Sequence, residues 1–336
     1  MLHAAGLAAQ AEAGVLARRR EARGAGQAEG PQEMTVARPA VLVVGSLHYD
    51  IMVKADHLPR KDETAVGTAW YPKFGGKGGN QAVAVARAGA ACRMFGAIGD
   101  DAFGRFLRRA LRQGGVDDSH VATLAGHGSG ISVAILDGAG DYAATIVSGA
   151  NLQMNPSALA NGGLWRDIGL LILQNEVPEA VNLAAAQHAR QRGIRTVLNA
   201  APARQLAPDL VRLVDILVVN AVEAEMMGAD PVAGLVGASR AARRLADRFG
   251  TVIVTAGSKG LAAVGPDGAA FSLAAERVPV VSSHGAGDAF IGALGAALIE
   301  GVPLRAACQT ASLAAARHVG TAEGPAATVV GGSRPG

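Results

Sequence analysis

From residue 170 onward, short apolar runs alternate with segments of helix length, and this constrains the fold more than any other feature of the 336 residues. Residues 170–173, 196–198, 215–219 and 252–254 read as strands; 178–190, about 223–227 and 239–249 read as helices. Strands that are apolar throughout are buried on both faces, and helices placed between them cover a parallel sheet. The expected class is α/β, with a mostly parallel sheet between two helical layers. The same signals appear upstream. Residues 41–44 and 93–98 are buried-strand runs, 82–88 and 103–113 are helical, and Gly114 and Gly115 stop the second helix. Residues 52–53 and 64–70 alternate polar with apolar and predict half-exposed strands, whereas 131–136 and 142–147 flank Asp137-Gly-Ala-Gly140 as a hairpin.

Half of the residues are hydrophobic, enough for a large core, but aromatics are only 4%, so Ala, Val, Leu and Ile must fill it. The net charge of +3 is spread without a basic stripe interleaved with aromatics, so no nucleic-acid partner is expected. No apolar run reaches the roughly 18 residues of a membrane span, so no membrane partner is expected either. Cys92 and Cys308 both sit in apolar runs and predict buried free thiols in a reducing, cytoplasmic compartment. Residues 1–39 are rich in Ala, Gly and Arg, lack the apolar segment of a secretory signal, and carry Glu12, Glu21, Glu29 and Glu33, unlike an acid-poor transit leader. The expectation is that translation starts at Met34, that residues 1–39 are a disordered or mis-assigned extension, and that 326–336 form a disordered tail. Between them, 40–325 is one domain.

Two glycine-rich segments carry the chemistry. In the first, Gly285, Ala286 and Gly287 lead into Asp288 and an apolar helix over about 289–299. A helix start presents backbone N–H groups and the positive end of the dipole. An anion hole beside a carboxylate able to accept a proton suits phosphoryl transfer to an alcohol. A well-capped helix start would account for the same residues. The second, Phe74-Gly-Gly-Lys-Gly-Gly-Asn80-Gln81, brings backbone close to a ligand and adds Lys77 and Asn80 as donors, and a flexible hinge is a compatible reading of the same glycines. It is not a Walker A loop, because Gly rather than Ser or Thr follows the Lys. There is no zinc-type His/Cys spacing, no Gly-x-Gly-x-x-Gly after the first strand, and no Gly-x-Ser-x-Gly.

Nine blocks in order then carry a resemblance: GSLHYD at 45–50, GGKGGNQ at 75–81, GDDAFG at 99–104, GAN at 149–151, QNE at 174–176, NAAPAR at 199–204, NAVE at 220–223, TAGSKG at 255–260 and GAGD at 285–288. The chain resembles the ribokinase-like, or PfkB, family of carbohydrate kinases over about 41–321. The resemblance implies a three-layer sandwich with a small β lid at about 49–73, and ATP-dependent phosphorylation of a sugar hydroxyl. D-Ribose is the first expectation; another pentose, a ketohexose or a nucleoside is the alternative, and a catalytically silent sugar or nucleotide sensor the alternative of another class. It implies Asp288 as catalytic base and Gly285, Ala286 and Gly287 as anion hole. His48, Asp50, Gly76, Lys77, Asn80 and Glu176 would bind the sugar. Asn220, Thr255, Gly257, Ser258, Gly260, Gly287 and Ser312 would bind ATP. Glu223 and Asn220 would hold Mg²⁺, largely through water, although their spacing is equally that of a capping box. Exposed strand edges invite pairing, so a homodimer through the lid is an expectation of the residues themselves. The chain departs from the family at His48, commonly Asn, which bears on which sugar is bound. It departs at Ser282, commonly a potassium-ligating Asp, and the loop around 318–324 reads as shorter, so potassium activation is not carried over. It departs at Ser312, often Asn or His beside the adenine.

Overall fold

The computed structural model describes residues 38–138 and 142–321, so the expectations for 1–39 (as far as residue 37, Met34 included) and for 326–336 lie outside the described residues. The described elements run β1 (Ala40–Val44), β2 (His48–Ala55), β3 (Gly67–Gly75), α1 (Lys77–Arg87), β4 (Cys92–Gly99), α2 (Ala102–Gln113), β5 (Val116–Leu124), β6 (Gly130–Leu136), β7 (Tyr142–Val147), β8 (Ile168–Gln174), α3 (Glu179–Gln191), β9 (Arg195–Asn199), α4 (Pro208–Val211), β10 (Ile216–Asn220), α5 (Ala221–Met226), α6 (Gly234–Ala246), β11 (Thr251–Thr255), β12 (Leu261–Val264), β13 (Ala270–Leu273), α7 (Ala286–Ile299) and α8 (Leu304–Gly320).

The main sheet has the order β13-β12-β11-β10-β9-β8-β1-β4-β5. It is parallel from β11 to β5, and only the β12 and β13 edge is antiparallel. Alternate residues of β1 supply both faces. Val41 and Val43 pack with Ala82, Leu107, Leu294 and Ala311, from α1, α2, α7 and α8. Leu42 and Val44 pack with Val181, Leu210 and Ala241, from α3, α4 and α6. The three layers are thus as expected, and each fully buried Leu or Val contributes about 1.5–3 kcal/mol of transfer free energy. The parallel strands all end on one side, so the loops after β1, β8, β10 and β11 gather at one edge, where open α/β sheets hold ligands.

A second sheet, β3-β2-β6-β7, forms the lid. β2 and β3 lie where lid strands were expected, at about 49–73, and the β6–β7 hairpin adds to them, with β6 pairing in parallel with β2. A hairpin advertises its own pairing but not the partner its free edge will take. Tyr49 roots the lid to the body by stacking on Phe103, with centroids 4.4 Å apart, and by meeting Phe106 edge-on. Two of the glycines in the glycine-rich segment belong to a helix. Gly78 and Gly79 lie in the first turn of α1, buried, and a Cβ on Gly78 would sit 2.5 Å from the Gly45 carbonyl carbon. Gly78 is glycine because the helix start packs backbone to backbone on the loop after β1, and Gly79 because a Cβ there would meet the Phe74 ring and the Leu47 side chain. The same closeness recurs where α1 crosses α7: a Cβ on Gly292 would sit 2.3 Å from the Cβ of Ala84.

Candidate active site

The start of α7 is built as expected. Gly285 is the N-cap at φ 82°, a left-handed conformation that glycine adopts without strain. No side chain caps the helix, so its first-turn donors are left for a ligand. Ala286 N–H makes a long 3.4 Å bond to the Ser283 carbonyl. Asp288 lies in this turn. Its Oδ1 accepts from Gln81 Nε2 at 2.9 Å and its Oδ2 from Asn80 Nδ2 at 3.3 Å. Burial raises its pKa above the ordinary carboxylate value; Lys77 and the two amides oppose the rise, and Glu176 adds to it. A carboxylate made more basic, next to helix-start donors, is equipped to take a proton from a hydroxyl.

The loops after β1 and β8 meet at Glu176. Its Oε2 accepts from the Ser46 hydroxyl at 2.5 Å and from the Lys77 N–H at 2.8 Å. His48, buried at the start of β2, places Nδ1 3.9 Å from the same oxygen, and its Nε2 has no protein partner. Asp50, two residues along β2, is buried and accepts from the Ser132 hydroxyl on β6 at 2.5 Å. Burial raises its pKa, against the pull of Ser132, His48, His284 and Lys73. Gly75 is required beside it, since a Cβ there would lie 2.1 Å from Asp50 Oδ2. Gly76, at φ 86°, turns the chain from β3 into α1. Two carboxylates with spare acceptor sites can receive several sugar hydroxyls. Asn151 joins the two sheets, bonding both the N–H and the carbonyl of Leu47 at 2.9 Å.

On the other side of Asp288, Asn220 and Glu223 form a reciprocal capping box at the start of α5, with bonds of 2.8 and 2.9 Å. The capping reading is therefore correct as structure. Glu223 nonetheless belongs electrostatically to the site. Burial raises its pKa, the Asn220 N–H and Lys77 oppose the rise, and the negative charge of Asp288 adds to it. Among the described residues no group of three or more His, Cys, Asp or Glu could hold a metal. One carboxylate and one amide facing a second carboxylate fit Mg²⁺ carried mostly by phosphates and water. Thr255 ends β11 beside Asn220. Gly257 (φ 55°), exposed Ser258 and Gly260 (φ 113°) form the tight turn that follows. Ser312 is half-buried on α8. Of the loop read around 318–324, residues 322–324 lie outside the described residues; α8 runs to Gly320, and His318 Nε2 meets the His284 carbonyl at 2.9 Å. The Ser282 hydroxyl accepts from His284 N–H at 3.3 Å.

The structure thus brings Asp288, Lys77, Asn80, Glu176 and Glu223 into one electrostatically coupled group, with His48 beside Glu176. Sequence reasoning gave no role to Gln81, Ser46 or Ser132. Gln81 had a readable signal, a large polar side chain leading directly into the small apolar run 82–86; Ser132 had none, because its partner is 82 residues away.

The chain matches the pfkB family carbohydrate kinase domain over residues 38–326, and it belongs to that family. It is similar to the ribokinase of Haemophilus influenzae, 31% identical over 265 residues that cover 78% of this chain and 86% of that protein. It is also similar to the ribokinase of Mus musculus, 32% identical over 259 residues, 76% and 80% of the two chains. Among solved structures, Arabidopsis thaliana ribokinase complexed with ribose and ATP superposes with a TM-score of 0.79 at 28% identity, over 85% of this chain and 94% of that one.

Proposed function

We propose that this chain transfers the γ-phosphoryl group of ATP to D-ribose, giving D-ribose 5-phosphate and ADP. The carrying observation is the juxtaposition of Asp288, at an anion-binding helix start, with the group formed by Glu176, Lys77 and His48. Kinship with ribokinases at about 30% identity supports ribose as the acceptor. In this reading Asp50, Glu176, Lys77, Asn80 and His48 hold the sugar, with Gly76 letting the backbone approach. Asp288 takes the proton of the 5-hydroxyl as its oxygen attacks the γ-phosphorus. The bond from that phosphorus to the β,γ-bridging oxygen breaks, and ADP leaves. The N–H groups of Gly285 to Gly287 face the charge that develops on the transferred group. Bound Mg²⁺ would be held by Glu223 and Asn220 through water, and would neutralise phosphate charge. Asn220, the 255–260 turn and Ser312 would line the nucleotide. The seated lid would exclude water and limit ATP hydrolysis.

Measuring ADP release with Mg-ATP against a sugar and nucleoside panel, with and without potassium, tests this. Ribose turnover that persists without potassium, and that falls about 10²–10⁴-fold in Asp288→Asn with the fold intact, is expected. Folded protein that releases no ADP with any sugar refutes the kinase reading and favours a sensor.

We also propose a homodimer through the lid, whose half-exposed residues Trp70, Ile146 and Val147 leave apolar surface uncovered. Light scattering should give twice the chain mass, and Ile146→Glu should halve it; an unchanged mass in that variant refutes this interface. Cys92 and Cys308 are buried free thiols, which fits the reducing environment of the cytoplasm.

A further inference from the structure

Gln81 is fully buried one turn into α1, between the glycine-rich segment and the apolar Ala82, Val83 and Val85. Its Nε2 donates to Asp288 Oδ1 at 2.9 Å, whereas its Oε1 is buried with no protein partner. The orientation follows from chemistry: a carboxylate offers only acceptors, so the amide nitrogen must face it. An unsatisfied buried carbonyl costs stability, and Met, of similar length, would fill the same space without that cost. What Gln81 adds therefore lies at Asp288. The two oxygens of Asp288 are held unequally. Oδ1 has a short bond from a side chain locked in the core, and Oδ2 has the longer 3.3 Å bond from Asn80 at the edge of the site.

We infer that Gln81 is a positioning residue for Asp288: its amide fixes the plane of the carboxylate through Oδ1 and leaves Oδ2 as the oxygen that takes the hydroxyl proton. This rests on the reading of Asp288 as the base. The α1–α7 crossing at Ala84 and Gly292 is close enough to leave no room for a side chain at Gly292, so the two helices that carry Gln81 and Asp288 are packed directly on one another. A donor to the ionised carboxylate also favours the charged form. Lys77, Asn80, Glu176 and Glu223 face the same carboxyl group and are untouched by a change at Gln81. Removing the Gln81 amide therefore raises the proton affinity of Asp288, and the acid limb of the kcat/KM profile moves to higher pH.

The test uses the full chain and three variants, Gln81→Met, Gln81→Glu and Asp288→Asn, assayed with ribose and Mg-ATP from acid to alkaline pH alongside thermal melts. Gln81→Met is expected to lower kcat about tenfold to a hundredfold, with both KM values within about twofold, because misplacement of a catalytic group by about 1 Å costs that much. Its acid limb should shift upward. In Gln81→Glu the limb should shift further, because two carboxyl groups at that distance would share one proton. Wild-type kcat and an unmoved acid limb in Gln81→Met overturn the inference. So does a loss of rate that tracks a fall in Tm with the limb unmoved, which is what a purely structural role would give. An active Asp288→Asn would overturn the base reading itself. An inactive Asp288→Asn beside an unaffected Gln81→Met would overturn the positioning role alone. If Gln81→Met does not fold, the shift in Gln81→Glu decides.

Discussion

Replacing Gly292 with Ala sets two calculable effects against each other. Glycine in a helix interior is about 1 kcal/mol worse than alanine, so propensity alone predicts a more stable protein. Against this, the new Cβ would lie 2.3 Å from Ala84 Cβ, 2.6 Å from the Ala84 carbonyl carbon and 2.7 Å from Val85 N. Carbon atoms in contact prefer about 3.5–4.0 Å, so α1 and α7 must part by roughly 1 Å. Two of the three obstructing atoms are backbone, so no rotamer change relieves the clash. Overpacking of this kind costs about 1–3 kcal/mol, and rigid obstruction belongs at the upper end. The net expectation is a loss of about 1–2 kcal/mol, which is a fall of a few degrees in Tm for a domain of this size. The effect on turnover is larger. α1 carries Lys77, Asn80 and Gln81, and α7 carries Asp288, so parting the helices lengthens both amide bonds to the base. A displacement of about 1 Å can cost up to a hundredfold in rate. Thermal melts and ribose-dependent ADP release on Gly292→Ala check both numbers. A raised Tm with wild-type kcat would show that propensity decides and that the crossing is not tight, refuting the reasoning.

Two further outcomes can be checked. Gly75→Ala pushes a methyl group onto Asp50 Oδ2 and off-seats its carboxylate from Ser132, so the KM for ribose should rise about tenfold or more while the KM for ATP holds; equal changes in both constants would count against Asp50 as a sugar contact. Asp101 caps α2 through Gly104 N–H and receives both the N–H and the hydroxyl of Ser129, so Asp101→Ala should lose about 1–3 kcal/mol by urea titration near neutral pH. Burial works to raise the Asp101 pKa, but those bonds win and it lies below the ordinary value. The stability it adds is complete above the unfolded-state pKa of about 3.9 and is lost as pH falls through the lowered folded value, so the gap between wild type and Asp101→Ala should close in acid.

The parallel part of the sheet was legible because runs such as Leu171, Ile172 and Leu173 have one explanation, burial on both faces. The antiparallel edge was not, because Leu261–Val264 and Ala270–Leu273 are four residues each and carry no pattern that separates strand from loop. Residues 116–124 carry Asp117, Asp118, Ser119 and His120 in one polar run, yet they form a parallel edge strand, where one flank lacks a neighbour to demand apolar residues. In the site, Asp288 and its glycines could be read from local order, since a helix start needs only neighbouring residues. The Ser46–Glu176 and Gln81–Asp288 bonds span 130 and 207 positions, and nothing local foretells which buried polar groups the fold will pair.

Asp50 sits in the middle of the smaller sheet, on a strand paired along both edges, whereas Glu176 and Lys77 are part of the larger body. If Asp50, Glu176 and Lys77 hold the sugar as proposed above, the receptor for it is split across two pieces of chain. Any rotation of the smaller sheet that opens a way in also carries off part of the receptor. An arriving sugar meets half its partners and must wait for the rest. Selection then becomes a race between departure and closure, judged twice, and a molecule that satisfies only the body is released before ATP is spent on it.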